Sequence, residues 1–338
     1  MGALRFRQAI VAALEDEMAE DDSVIVFGED VAVAGGPFKT SEGLLEKFGP
    51  LRVRDTPISE MGFIGAAVGS AIAGMRPVAE IMFMEFLGVA LDQLVTEAAK
   101  MRYLSNGRVT VPLVVRATIG SGNGFGAQHS QTLENWVTAT PGLVVATASS
   151  PQNAYGLLRS AIRCNDPVIL LEPRYLHPVR GEVVRGEEGI VPLGVARIAR
   201  AGERATVVTM GSTVSETVDA ATRADLDIEI IDLQTLAPWD RTTVFDSVRR
   251  TGRLVVAEEA PESGGWGSEI VAAVSRELWS SLRSAPFRIT APDVPVPYAA
   301  SLETRFLPRA DEIAHQLVEY LESGIPPQPW WTREGGLV

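Results

Sequence analysis

One cysteine, three histidines and three lysines in 338 residues leave several chemistries short of the side chains they need. A lone Cys164 rules out an intramolecular disulfide and a thiolate metal cluster, and fits a reducing, cytoplasmic setting. His129, His177 and His315 stand far apart and none belongs to an HExxH pair, so no zinc site is expected. No GxSxG elbow and no GxxxxGK[ST] phosphate loop occurs. Cys164 follows Arg163 at an expected helix end and reads as a packing residue rather than a nucleophile. No basic head followed by an apolar run opens the chain, so a secretory signal is not expected. The Gly- and Ala-rich stretch 61–75 is 15 residues long and stops at Arg76-Pro77, short of the roughly 18 that a membrane span needs. A formal charge of −13 disfavours nucleic acid and anionic membranes as partners.

What is present is an ordinary globular interior, 46% hydrophobic, in a chain long enough for two domains of about 100–200 residues. Apolar strand-like runs alternate with helical patterns. Helices are expected over 4–18, 59–74, 86–103 and 151–163, and strands over 23–27, 78–83, 113–117, 143–146 and 168–171. Strands separated by helices read as βαβ units around a parallel sheet. The proline-bearing stretch 173–192 interrupts this rhythm and reads as a linker. Beyond it strands are expected over 205–210, 228–232, 253–257 and 286–290. Helices are expected over 212–224, 242–251, 267–282 and 308–321, followed by an extended tail from 324. The expected division is a first domain over 1–175, a linker over 176–193, a second α/β domain over 194–325 and a tail over 326–338.

A doubly wound fold invites a nucleotide, yet the glycines do not match one. Gly120, Gly122, Gly124 and Gly126 miss the dinucleotide spacing, because position 125 is Phe. Gly264-Gly265-Trp266-Gly267 precedes a helix and reads as a flexible helix entry before an anion site. The Gly-Asp-Gly motif that thiamine enzymes use for Mg²⁺ and diphosphate is absent. Three residues carry chemical interest. Glu60, after Asp55-Thr56-Pro57-Ile58-Ser59, falls at a helix start, where a carboxylate meets unpaired amides; an exposed capping acid is the plainer alternative. Phe86 follows a strand and could stack on a flat ring or simply fill the core. His129, just past a loop with four glycines in seven residues, could move a proton near neutral pH or be a hydrogen-bonded structural histidine. His177 and His315 read as structural.

An ordered set of motifs changes the weight of these residues. Gly28-Glu29-Asp30-Val31, Gly43-Leu44, Lys47-Phe48-Gly49, Asp55 to Glu60, Gly74-Met75-Arg76-Pro77, Asp92-Gln93, Ala98-Ala99-Lys100 and Gln128-His129-Ser130-Gln131 come first. Pro141-Gly142-Leu143, Asp166-Pro167, Ile231-Asp232-Leu233, Thr251-Gly252-Arg253 and Glu258-Glu259 follow. Together they resemble the beta subunits of 2-oxo acid dehydrogenases of the pyruvate, branched-chain and acetoin types. The resemblance runs over nearly the whole chain, from about Leu4 to about Leu321.

The resemblance implies a transketolase-like α/β fold: a doubly wound thiamine-pyrimidine-binding domain followed by a transketolase C-terminal-like domain. It implies an α2β2 assembly in which the alpha subunit holds Mg²⁺ and the diphosphate of thiamine diphosphate, which accounts for the missing motif here. Glu60 matches the glutamate that bonds the pyrimidine nitrogen and drives formation of the reactive carbanion, which attacks a 2-oxo acid. Ile58, Met82 and Phe86 match its pyrimidine neighbours. His129 matches the histidine that serves acyl transfer to the lipoyl group of an acyltransferase core. Backbone oxygens near Leu113, Ala161, Ile162, Cys164 and Asp166 match a K⁺ site, although relatives carry Asp where Cys164 stands. Glu85 stands where relatives vary. Two alternatives stay open: an acetoin-cleaving or carboligating thiamine subunit without lipoyl transfer, and a noncatalytic scaffold subunit.

Overall fold

The computed structural model describes residues 2–332. The chain packs as two compact units. The first comprises residues up to Ile119 and Trp136–Leu193; the second comprises Gly120–Asn135 and residues from Gly194.

The first unit is built on β1 (Gly2–Arg5), α1 (Phe6–Glu20), β2 (Val24–Gly28), α2 (Leu44–Phe48), β3 (Val53–Asp55), α3 (Glu60–Ile72), β4 (Arg76–Ile81), α4 (Leu87–Leu91), α5 (Ala99–Leu104) and β5 (Val114–Ile119). A short α6 (Asn135–Thr138) precedes β6 (Val144–Thr147), α7 (Pro151–Arg163), β7 (Val168–Pro173) and β8 (Arg180–Val183). Within this unit the parallel strands lie in the order β6-β7-β5-β4-β2-β3. Apart from the edge strand β3, these strands are buried along nearly their whole length, as expected for a sheet covered on both faces.

Helix α7 shows why the sequence folds this way. Ser150 accepts the amide of Asn153 at 3.2 Å, and Pro151 opens the first turn, where its missing N–H costs nothing. Ala154, Leu157, Leu158, Ala161 and Ile162 form one apolar stripe. That stripe joins a core with Ile10, Leu14 and Met18 of α1, each buried large side chain contributing about 1.5–3 kcal/mol.

Two local expectations are corrected. The single helix expected over 86–103 is a 3-10 turn (Met84–Phe86), α4, a π turn (Asp92–Ala98) and α5. The stretch 173–192 is not structureless: it holds β8, which pairs antiparallel with β1 over Arg180–Val183 and Gly2–Arg5.

The second unit contains β9 (Arg197–Arg200), β10 (Thr206–Thr209), α8 (Thr213–Arg223), β11 (Glu229–Asp232), β12 (Thr235–Ala237), α9 (Arg241–Thr251), β13 (Leu254–Pro261), α10 (Gly267–Glu277), β14 (Phe287–Ala291), α11 (Ala300–Glu303) and α12 (Ala310–Ser323). Its sheet runs β14-β13-β10-β11-β9, parallel except for β9 at the edge. Val207, Ile230, Val255 and Ile289 meet Ile313, Leu317 and Tyr320 of α12 in its core. Asp240 caps α9 through the Thr243 amide at 3.0 Å, and Gly252, at φ 71°, ends it in the left-handed conformation. The expected tail is described as far as Thr332; there Trp330 donates Nε1–H to the Thr290 carbonyl at 2.9 Å, and Trp331 is buried. The rest of that expectation, 333–338, lies outside the described residues. Among the described residues no helix is long and apolar enough to cross a membrane.

Candidate functional site

In the first unit the carboxyl ends of parallel strands converge on one sheet edge, where ligands of open α/β sheets bind. β2 delivers Glu29, the segment after β3 delivers Ile58 and Glu60, and β4 delivers Met82 and Phe86. Glu60 is the first residue of α3 and is only 8% exposed. Ser59 occupies the N-cap position without a side-chain capping bond, so the helix start is set by extended backbone after Pro57 and not by a serine cap. The residues two before and one after the acid frame it by contrast: Ile58 and Met61 are exposed apolar side chains, at 84% and 53%. A buried carboxylate rimmed by exposed apolar surface differs from the exposed capping acid that sequence left as the plainer reading.

Glu29 was not singled out from sequence. Its pKa is raised by burial first, then by the nearby charges of Glu60 and Asp30. The two glutamates therefore share one electrostatic environment, though they stand 31 positions apart.

Aromatic side chains pack together just after β4. Phe83 and Phe86 meet edge to face at 5.5 Å, and Phe38 meets Phe83 at 5.7 Å. Arg174 stacks over Phe83 at 5.2 Å. Thr118 donates Oγ1–H to the Met82 carbonyl at 2.5 Å, fixing the backbone that carries Phe86. Beneath this edge lies a buried ion network absent from the sequence reading. Arg116 donates to Glu172 at 2.6 and 3.0 Å and to Glu80 at 2.8 Å, joining β4, β5 and β7. Thr40 donates to the same Glu80 oxygen at 3.0 Å. Burial, the largest influence, would raise the Glu172 pKa, but the charge of Arg116 and the hydrogen bonds from His177 and Arg116 together outweigh it and hold the carboxyl below its ordinary value.

His129 belongs to the second unit. It is half-buried, and its backbone N–H donates to the Gly126 carbonyl at 3.3 Å. His177 lies in the first unit, buried against Phe6 and Phe38 with Nε2 3.6 Å from Glu172, in keeping with a structural role. The residues matched to a K⁺ site fall together in the first unit. Arg76 donates Nη1–H to the carbonyls of Ile162 at 2.9 Å and Cys164 at 3.1 Å. Asp166 pairs with Arg102 at 2.5 Å.

The chain matches the family described as "Transketolase, pyrimidine binding domain" over residues 3–179 and "Transketolase, C-terminal domain" over residues 194–313. It is 40% identical over 334 residues to the acetoin:2,6-dichlorophenolindophenol oxidoreductase subunit beta of Cupriavidus necator, covering 95% of this chain and 98% of that one. It is 42% identical to the mitochondrial pyruvate dehydrogenase E1 component subunit beta-2 of Oryza sativa subsp. japonica, covering 95% and 87%. It is 41% identical to the pyruvate dehydrogenase E1 component subunit beta of Rickettsia conorii, covering 91% and 95%. Among solved structures, a split-gene transketolase in an inactive beta4 tetramer superposes with a TM-score of 0.78 over 94% of this chain and 99% of that one; at 22% identity this shows the fold alone. Two matched domains in this order define a transketolase-like protein. The chain belongs to the oxidoreductase family of E1 beta subunits of 2-oxo acid dehydrogenases, of the pyruvate and acetoin dehydrogenase kind.

Proposed function

We propose that this chain is the beta half of an α2β2 enzyme that decarboxylates a 2-oxo acid, pyruvate or branched-chain, and passes the acyl group to a lipoyl carrier. One observation carries the reading: a buried Glu60 carboxylate in the first turn of α3, beside the carboxyl ends of the parallel strands. The residues around it suit the aminopyrimidine of thiamine diphosphate. That ring needs one acid at its nitrogen edge and apolar or aromatic contact on its faces; Glu60 supplies the first, and Phe86, Met82 and Ile58 the second. When bound, thiamine diphosphate supplies the electron sink for loss of carbon dioxide. Glu60 holds a proton at the pyrimidine nitrogen. Glu29 lies close enough to Glu60 that, after burial, the Glu60 charge raises its pKa. His129 gives a proton to the sulfur that leaves during acyl transfer.

Under the same reading an alpha subunit holds Mg²⁺ and the diphosphate, an acyltransferase core presents the lipoyl group, and the complex works in a bacterial cytoplasm. The functional division follows 1–175 for pyrimidine binding and 194–325 for the C-terminal domain. A K⁺ ion at Leu113, Ala161, Ile162, Cys164 and Asp166 would share the Ile162 and Cys164 carbonyls with Arg76.

A second reading has a specific support, the 40% identity to an acetoin oxidoreductase beta subunit. Here acetoin is cleaved without a lipoyl acceptor. The pair purified with its alpha partner and assayed on pyruvate, branched 2-oxo acids and acetoin, with and without lipoyl domains, decides. Carbon dioxide release coupled to lipoyl acylation is expected. Turnover of acetoin alone favours the second reading, and no turnover of any substrate overturns both.

A further inference from the structure

In the second unit the segment Gly120–Asn135, which carries His129, folds over strands and loops that follow Gly194. Its glycines at 120, 122, 124 and 126 all have positive φ, between 70° and 98°. Side chains rarely accept that conformation, so alternate glycines turn the backbone amides inward and form a concave nest for an anion. The nest is filled by the chain itself. Glu303, the last residue of α11 and only 4% exposed, accepts the Gly122 amide at 2.8 Å through Oε1. The Gly124 amide is shared between its two oxygens, at 3.2 and 2.9 Å.

The neighbouring residues tighten the arrangement. A Cβ on Gly120 would come within 2.9 Å of the Glu259 carboxylate, and one on Gly126 within 3.2 Å of the Tyr298 ring. The Gly120 amide donates to the Gln131 carbonyl at 3.3 Å, closing the base of the loop. The His129 amide donates to the Gly126 carbonyl at 3.3 Å, and the Gln131 side chain donates to the Ala127 carbonyl at 3.0 Å. Glu303 therefore holds Gly122 and Gly124, and two residues further along the chain the Gly126 carbonyl accepts from the His129 amide.

We infer that Glu303 is a positioning residue for acyl transfer: its carboxylate fixes the glycine nest and thereby the place of His129. The inference rests on the lipoyl-transfer reading given above. In that step a bond would form between the acyl carbon and one lipoyl sulfur as the lipoyl disulfide breaks, and the bond joining the acyl carbon to the coenzyme would then break, its electron pair returning to the coenzyme. The electron pair left by decarboxylation reduces the disulfide. The proton lost from the acyl carbon's hydroxyl ends on the departing sulfur, by way of His129. Nothing in this step requires Glu303 to touch a reacting atom. Its part is to hold in place a loop whose glycines leave the backbone conformationally free. Charged acceptors make the stronger hydrogen bonds, so a neutral isostere should loosen the nest.

The test uses the beta chain assembled with its alpha partner and compares Glu303→Gln, Glu303→Asp, His129→Ala and the Glu303→Gln/His129→Ala double variant. Hydrogen exchange of the peptide spanning 118–131 should quicken by about 10-fold in Glu303→Gln. The ratio of lipoyl-domain acylation to dye-coupled decarboxylation should fall by about 10-fold as well. Glu303→Asp should recover part of both. The double variant should be no worse in that ratio than His129→Ala, because both changes act through one group. Unaltered exchange in Glu303→Gln overturns the inference. So does a loosened loop with an unchanged ratio, and so do effects that multiply in the double variant. If the unsubstituted pair acylates no lipoyl domain, the functional reading fails instead, and the exchange rates alone then judge whether Glu303 holds the loop.

Discussion

Buried carboxylates are satisfied differently around Arg116 in the first unit and around the glycine-rich segments of the second. In the first, Glu80 and Glu172 face the guanidinium of Arg116, one cation shared by two acids. In the second, around the glycine-rich segments, acids face backbone amides: Glu303 takes those of Gly122 and Gly124, and Glu258 takes that of Gly267 at 3.1 Å while also meeting Arg288 at 2.6 Å. The pKa directions follow. Glu172 is held below its ordinary value despite full burial, because a charge lies against it. Glu134 is pushed up to about 8, by burial first and then by the charges of Glu258 and Glu259. Burial also lifts Glu258 to about 7, against the pull of Arg288. Similar burial thus goes with a lowered pKa for Glu172 beside Arg116 in one unit and with raised values for Glu134 and Glu258 in the other.

Breaking the first network should have the largest effect. Arg116→Met leaves two acids buried without their cation and should cost about 3–5 kcal/mol in denaturant unfolding of the first unit. Adding Glu80→Gln and Glu172→Gln should restore most of it, since the penalty lies in the orphaned charges. A loss no greater than an exposed arginine gives would show that the network is not what joins β4, β5 and β7.

A smaller effect should appear in the second unit as pH changes. Glu134 keeps its proton in the folded chain up to about pH 8, whereas the ordinary value is 4.5. The folded state binds the extra proton between those values. The stabilisation is therefore whole below pH 4.5 and is lost as pH rises through about 8, a change on the order of a few kcal/mol. Thermal melts from pH 5 to 8.5 should show that decline, and Glu134→Gln should flatten it. A profile that the substitution leaves unchanged would contradict the assignment.

These contrasts mark what the sequence could tell. Local patterns made the helices and parallel strands legible: the stripe of α7, its Ser150-Pro151 start, and the β-branched runs of β5 and β7 each declare themselves within a dozen residues. Glu60 could be placed at a helix start from Pro57 and Ser59, but its burial could not, because burial depends on strands that come from elsewhere in the chain. The same holds for Arg116 and Glu172, which are 56 positions apart. The glycines at 120–126 miss the dinucleotide spacing and those at 264–267 read as a flexible helix entry, yet both segments hold a carboxylate. Their anions are Glu303 and Glu258, supplied from distant positions, and no spacing rule reveals that. The pairing of β8 with β1 joins the two ends of the first unit, so the intervening prolines read only as an interruption. The π turn at Asp92–Ala98 sits in a sequence with unbroken helical periodicity, and nothing local marks it.

The central claim concerns a single carboxylate and can be measured without turnover. In the pair loaded with thiamine diphosphate, Glu60→Gln should slow exchange of the cofactor's thiazolium C–H proton by at least about 100-fold, while cofactor binding and assembly with the alpha partner persist. Exchange at the unsubstituted rate in that variant would mean that Glu60 does not activate the coenzyme.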